Sequence, residues 1–106
     1  MTDKRIVLTT AGSQQEAQKI AEALVAQRLA ACVNIISGIH SVYRWQAKVE
    51  QADEWLLLIK TTESASAPLR DAITKLHSYE VPECIVLSIE DGTPAYLDWI
   101  GDSVKG

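Results

Sequence analysis

Two short segments carry most of the side chains that could do chemistry. The first is 60–62, where Lys60 places a cation at the end of an apolar run. The second is 77–83, which contains an imidazole at His77, a phenol at Tyr79 and a carboxylate at Glu83. An ammonium group is suited to binding an anion, whereas imidazole and carboxylate are ligands for borderline and hard metal ions. These residue types indicate ligand or metal binding rather than catalysis.

Each of these residues also has an ordinary structural explanation. Lys60 can lay its aliphatic stem along the strand and keep its charge in water without binding anything. His77 and Glu83 are only two ligands separated by a loop, and such a pair is a weak metal site. They are candidates whose significance depends on the fold around them.

No motif of a known enzyme mechanism accompanies these side chains. The sequence has no glycine-rich phosphate loop, no Gly-x-Ser-x-Gly turn and no paired-cysteine or histidine-rich metal motif. The loop at 10–13 lacks the arginine that an acylphosphatase-like activity would need to hold a phosphate. Cys32 and Cys84 sit in apolar runs and are expected to be buried free thiols. We therefore predict that the protein is not an enzyme.

Composition and charge exclude further classes of protein. The 106 residues carry a formal net charge of −4, which repels the phosphates of nucleic acid and of anionic lipid. No apolar run approaches the roughly 20 residues of a membrane span, and the first five residues lead directly into an apolar strand. We expect one domain, 1–106, that is cytoplasmic and binds neither nucleic acid nor membrane.

The apolar periodicities predict the elements that must position these candidates. A strand at 5–10 is followed by a helix at 13–29, which begins with the capping-box pattern Ser13-x-x-Glu16. A β-rich region starts at 32, bends at Ser37-Gly38 and resumes at 39–46. The remaining predicted elements are a reversal at 48–54, a strand at 55–59, a helix within 62–77, a strand at 84–89 and a short C-terminal helix from Thr93. The fold class is α+β, with the ferredoxin-like order βαββαβ and a short C-terminal helix.

The hairpin at 39–62 is too long for the core beneath it. Each of its arms could span about 33 Å, whereas the longer predicted helix spans only about 25 Å. An overhang that carries Tyr43, Trp45 and Trp55 would expose aromatic surface and strand edges, which soluble monomers avoid. Contact with other copies of the chain removes this exposure, and a coiled hairpin that folds back on its own domain is the alternative.

Five segments of this sequence closely resemble the CutA divalent-cation-tolerance family. They follow one another in order along nearly the whole chain, at 7–11, 29–34, 41–45, 58–62 and 77–83. The resemblance implies a ferredoxin-like subunit in a homotrimer shaped like the PII signalling proteins, with the extended hairpins joining the subunits. It also implies a link to copper and other divalent cations.

The sequence departs from the family pattern at two positions. The usual His-Pro-Tyr is His77-Ser78-Tyr79, and Thr9 stands where some members have a cysteine, the soft ligand that copper(I) favours. The first hypothesis is therefore a trimeric metal-responsive protein that either binds Cu²⁺ or another borderline cation weakly through His77 and Glu83 or supports tolerance indirectly.

The second hypothesis is a PII-like regulatory module. In this reading, a cleft between subunits binds a small anionic ligand or a protein tail, because aromatic walls and one charged group are the usual make-up of a ligand pocket. The residues expected to line it are Tyr43, Trp45, Lys60, Tyr79 and Glu83.

Overall fold

A four-stranded antiparallel sheet with strand order β2-β3-β1-β4 organises the molecule. The computed structural model describes residues 2–105. Its elements are β1 (Lys4–Ala11), α1 (Gln14–Ala26), β2 (Cys32–Trp45), β3 (Lys48–Thr62), α2 (Glu63–Leu76), β4 (Ile85–Ser88) and α3 (Pro94–Ser103). The predicted βαββαβ order with a long second hairpin and a short C-terminal helix is confirmed.

The N-terminus of each long helix is capped by a side-chain hydroxyl. The Ser13 hydroxyl accepts a hydrogen bond from the Glu16 amide at 3.1 Å, and the Thr62 hydroxyl accepts one from the Ala65 amide at 3.3 Å. These caps satisfy amide groups that have no partner within the helix. The helices bury one apolar stripe each against the same face of the sheet; the largest buried side chains there are Ile20, Leu24, Leu57, Ile59, Leu69 and Ile73.

The reversal of the hairpin is shorter than the sequence indicated. Gln46 and Ala47 make a two-residue turn with φ angles of 49° and 66°. The prediction of a reversal at 48–54 is wrong, because those polar residues belong to β3 and pair with 39–45 of β2. A turn with both φ angles positive suits the twist of a hairpin, but its usual residues are Asn and Gly, so Gln-Ala carries little turn signal.

The two halves of β3 have different neighbours. Residues 55–62 pair with β1, whereas 48–54 pair only with β2. The hairpin tip is therefore a two-stranded arm beyond the sheet, and the molecule measures 44 × 25 × 23 Å. Tyr43 and Trp45 lie on this arm as expected, whereas Trp55 packs against the core.

The predicted bend at Ser37-Gly38 is an irregularity in the β2–β3 pairing. Ile36 pairs with Leu56 and Ile39 pairs with Glu54, so β2 advances three residues while β3 advances two. Gly38 has a φ of 79°, a conformation that glycine adopts at little cost. This bulge turns the odd-numbered residues of the β2 arm to the face that its even-numbered residues occupy before the bend.

The face of the sheet opposite α1 and α2 carries apolar side chains that are only partly covered. Register and alternation place on this open face Ile6, Leu8, Ile36, Leu56, Leu58, Ile85 and Leu87. Ile36, Ile85 and Leu87 are 41%, 49% and 45% exposed. The helix α3 builds a second, smaller core around Ile100 and Val104.

The structure also tests the predictions about the two cysteines and about membrane-spanning segments. Cys32 and Cys84 are free, as predicted, but the prediction that they are buried is wrong, because both lie near the sheet edges and are partly exposed. Within residues 2–105, no helix is long and apolar enough to cross a membrane.

We predict that the double substitution Gln46→Asn and Ala47→Gly raises the free energy of unfolding by about 1 kcal/mol, because these residues tolerate positive φ better than Gln and Ala. Urea denaturation at fixed protein concentration measures the change. Ala52→Gly, within β3, is the control and should lower stability by about 0.5–1 kcal/mol. A double variant no more stable than the parent would contradict the prediction.

Candidate functional site

A groove of 840 Å³ lies between the hairpin arm and the segment that follows α2. The arm contributes Ser41, Val42, Tyr43, Trp45 and Glu54, the loop contributes all of 78–83, and β1 contributes Thr10. Its volume is in the range of small-molecule sites, about 300–1,000 Å³. The groove brings together two segments that are more than 20 residues apart in the sequence.

Four of the five predicted ligand-binding residues line this groove. They are Tyr43, Trp45, Tyr79 and Glu83. Lys60 does not line it: its Nζ donates a hydrogen bond to Asn34 Oδ1 and lies 4.0 Å from Cys32 Sγ. The residues that line the groove include no lysine, arginine or histidine. The cation expected to attract an anion is therefore absent from the groove that a single chain forms.

A buried carboxylate and a phenol connect the arm to the loop. The Tyr79 hydroxyl donates a hydrogen bond to Glu54 Oε2 at 2.7 Å, and Glu54 is only 7% exposed. Burial, followed by the hydrogen bond to Glu54 and the charge of that residue, raises the pKa of Tyr79 well above its usual range. The phenol therefore keeps its proton and acts as a donor.

Gly12 allows this phenol to approach the β1–α1 connection. A Cβ atom at position 12 would lie 3.0 Å from the Tyr79 hydroxyl oxygen and 3.5 Å from a ring carbon. Any side chain there would require the phenol to shift from the position in which it donates to Glu54. Glycine at position 12, directly after β1, therefore leaves room for the phenol that lines the groove.

His77 lies behind the groove and is held at both ring nitrogens. Its Nε2 donates to the Thr10 carbonyl at 2.6 Å, and its Nδ1 accepts from the Tyr79 amide at 3.1 Å. These partners assign the proton to Nε2. The His77 ring also packs at 4.6 Å from the ring of Tyr79. In this arrangement His77 positions the loop.

The N-terminal turn of α1 fixes the same loop. Glu16 Oε2 accepts a hydrogen bond from the Ser78 amide at 2.9 Å. Burial opposes the charged form of Glu16, but hydrogen bonds from Ser78, with a smaller electrostatic contribution from the nearby His77 ring, outweigh it, so the pKa of Glu16 is lowered. Glu16 therefore remains an acceptor for the loop near neutral pH.

The donor atoms of the described residues do not form a closed metal site. Within residues 2–105, no group of three or more His, Cys, Asp or Glu side chains is arranged to hold a metal ion. A metal ion could reach His77 only if one of its two ring hydrogen bonds were broken. The pair His77 and Glu83 stays a prediction, and the groove donors fit weak binding better than tight binding.

Sequence reasoning missed Glu54 and Glu80, which also line the groove. The predicted reversal at 48–54 includes Glu54, and only the true turn and the bulge show that Glu54 pairs with Ile39 on the arm. Glu80 lies within the segment 77–83, but nothing in its type or spacing distinguishes it from an ordinary surface carboxylate. The alternating pattern of β3 is the one signal that could have indicated Glu54.

Comparison with known proteins gives consistent matches over the whole fold. A family model described as CutA1 divalent ion tolerance protein matches residues 5–103. The chain is 47% identical over 100 residues to the divalent-cation tolerance protein CutA of Thermus thermophilus, covering 94% of this chain and 97% of that one. It is 42% identical to the chloroplastic protein CutA of Arabidopsis thaliana, but spans only 55% of that protein. The solved structure of the Thermus thermophilus protein superposes with a TM-score of 0.94 at 46% identity, covering 96% of this chain and 99% of that chain.

We predict that Tyr79→Phe lowers the free energy of unfolding by about 1–3 kcal/mol, because it leaves the buried Glu54 carboxylate without its donor. Urea denaturation measures the loss. Tyr43→Phe is the matched control, since Tyr43 is 44% exposed and its hydroxyl makes no hydrogen bond to another residue in 2–105. Equal effects of the two substitutions would show that the Tyr79–Glu54 hydrogen bond does not stabilise the fold.

Proposed function

This chain belongs to the CutA1 divalent ion tolerance protein family, and from that premise we propose that it acts as a homotrimer that binds divalent cations weakly. The family description specifies tolerance of divalent ions and not a catalysed reaction, which agrees with the prediction that the protein is not an enzyme. The cytoplasm stays a prediction for this chain, and its Arabidopsis relative is named as chloroplastic.

The observation that carries the metal proposal is the charge of the groove lining. Glu54, Glu80 and Glu83 contribute carboxylates, and none of the described residues that line the groove is basic. Carboxylate oxygens bind divalent cations, and binding is weak when few of them converge on one point. We propose that Glu83 contributes to a weak Cu²⁺ site, which His77 joins only by giving up a hydrogen bond.

The open face and the arm support assembly. Ile36, Ile85 and Leu87 expose 41–49% of their surface on one side of the sheet, and β4 is an edge strand with every residue exposed. An apolar sheet face and an unpaired edge are surfaces that proteins cover, often with further copies of the same chain. The arm projects past its own sheet and can reach a neighbouring copy, which supports the trimer that the family resemblance implies.

A PII-like regulatory role is the second candidate. The aromatic side chains Tyr43, Trp45 and Tyr79 favour it, because they give the groove apolar walls for a small ligand or a protein tail. The anionic ligand expected from the sequence depended on Lys60, which lies elsewhere and is hydrogen-bonded to Asn34. The groove of one subunit therefore offers an anion no basic partner.

We predict that the protein scatters light as a particle of three times 11.6 kDa and that Leu87→Asp shifts it toward the single-chain mass. A carboxylate on the apolar open face would have to be desolvated when another copy covers it. Val25→Asp, on α1, is the control because Val25 is 43% exposed and Leu87 is 45% exposed. A monomeric parent protein at micromolar concentration would overturn the trimer proposal.

We predict that metal-free protein shows saturable, weak heat with Cu²⁺ in titration calorimetry. Glu83→Gln should weaken this binding several-fold, and His77→Gln should weaken it less, because both imidazole nitrogens already have protein partners. Glu22→Gln removes one exposed carboxylate from α1 and controls for net charge. The absence of saturable heat, or equal binding by Glu83→Gln and Glu22→Gln, would remove the metal proposal.

A further inference from the structure

Lys60, which does not line the groove, belongs to a polar cluster at the base of the hairpin. Its Nζ donates a hydrogen bond to Asn34 Oδ1 and lies 4.0 Å from Cys32 Sγ. We propose that this cluster is a redox modification site, in which Lys60 captures oxidised Cys32 and forms a reversible covalent link between β2 and β3. The proposal goes beyond metal tolerance and depends on neither the groove nor a bound metal ion.

The register of the sheet keeps the two reacting atoms close together. Cys32 and Lys60 are paired directly across β2 and β3, and the Cβ atoms of such a pair lie about 4.5–5.5 Å apart on the same face. The Asn34 side chain, whose Oδ1 is 4.0 Å from Cys32 Sγ, holds the amine on the side of the thiol. Rotation about the flexible side-chain bonds of Lys60 can therefore bring nitrogen to sulfur.

The helix α3 adds a third polar group to the surroundings of the thiol. Burial, followed by the charge of Cys32 and a hydrogen bond with it, raises the pKa of Tyr96, so this phenol keeps its proton and donates. Partly exposed cysteines in electropositive surroundings are the ones that react with peroxides. Cys84 is the internal comparison, because burial raises the pKa of its thiol and no hydrogen bond within residues 2–105 joins it to a lysine.

The chemistry needs one co-reactant, a peroxide. In the first step the O–O bond of hydrogen peroxide breaks and one oxygen binds to Cys32 Sγ. The thiol is thereby oxidised to a sulfenic acid, and the peroxide is reduced to water. In the second step the Lys60 Nζ lone pair forms an S–N bond and the S–O bond breaks. The departing oxygen leaves as a second water, which takes one hydrogen from Nζ.

The link does not require an uncovered surface. Cys32 and Lys60 lie on the open face of the sheet, which neighbouring copies cover in the proposed trimer. Both reacting groups belong to one chain, however, so the peroxide is the only reactant that must reach them. The bond would close a loop of 28 residues at the base of the hairpin, as a disulfide would. Oxidation would therefore fasten β2 to β3 where the hairpin begins.

Peptide mapping of the assembled, chelator-treated protein tests the proposal. After treatment with hydrogen peroxide, catalase stops the oxidation, an alkylating agent blocks the remaining thiols, and trypsin digests the protein without reductant. Because trypsin does not cleave after a modified lysine, we expect peptide 29–44 linked to peptide 49–70, lighter than their sum by two hydrogen atoms. Dithiothreitol before digestion should restore the separate peptides 29–44, 49–60 and 61–70.

Two results of the mapping would overturn the proposal. One is the absence of a linked pair that contains Cys32 and Lys60. The other is a link between peptides 29–44 and 76–105, which would be a disulfide between Cys32 and Cys84. Both results are read from the parent protein, so they do not depend on whether any variant folds. The chelator also separates them from the metal proposal, since no Cu²⁺ takes part.

Matched variants test the role of the amine. Lys60→Arg keeps the positive charge, but the guanidinium group stays protonated and offers no nucleophilic lone pair. Uncaptured sulfenic acid is oxidised further, so we expect several-fold more sulfinic acid at Cys32 in this variant than in the parent. Lys75→Arg, the same change on α2, should behave as the parent does. Equal sulfinic acid yields in Lys60→Arg and the parent would overturn the proposal. Light scattering and urea denaturation check the assembly and fold of each variant.

Discussion

The register of the β2–β3 hairpin is the constraint on which the groove depends. Side chains alternate between the two faces of a strand, so one additional residue exchanges the faces of everything beyond it. The bulge between Ile36 and Ile39 is such an addition in β2. It places Tyr43 and Trp45 on the same face as Glu54, Leu56 and Leu58. Without the bulge, the two aromatic side chains would point to the opposite side of the arm and the groove would lose one wall.

The second wall is fixed by contacts among three separate parts of the chain. The His77 imidazole ties the end of α2 to the Thr10 carbonyl, and Glu16 ties the Ser78 amide to the first turn of α1. The Tyr79 hydroxyl then bonds Glu54 across the groove. Because each contact joins residues far apart in sequence, the loop depends on the folded core for its position. A loop held in this way loses little further freedom when a ligand binds, which favours affinity.

The sequence predicted most elements because local rules determine them. The Ser13 cap, the apolar stripe of α1 and the strand at 55–59 all follow from patterns within a few residues. The turn at Gln46 and Ala47 could not be predicted in this way, since neither residue has a preference for positive φ. In the sequence, the polar residues at 48–54 therefore carry the stronger signal for a reversal.

The sequence predicted only part of the groove lining, because local pattern identifies residue types but not the register that brings them together. Tyr43, Trp45, Tyr79 and Glu83 are residue types that usually form binding sites, so composition was enough to single them out. Glu54 needed the register of the arm, and Lys60 needed its hydrogen bond to Asn34 before either could be placed correctly. One of the three carboxylates of the groove depends on the register of Glu54, and the absence of a basic side chain from its lining depends on the position of Lys60; local pattern determined neither.

The position of the groove also connects ligand binding to assembly. Tyr43, Trp45 and Glu54 lie on the same side of the sheet as the apolar open face, because alternation continues along β3 from Glu54 to Leu58. Neighbouring copies that cover the open face would therefore lie beside the groove or form part of it. Any ligand that prefers the assembled protein must then strengthen assembly by the same free energy, since coupling between two binding events is reciprocal. A cation between carboxylates of neighbouring copies would also reduce their mutual repulsion, and this gives an acidic protein a physical reason to make its assembly respond to cations.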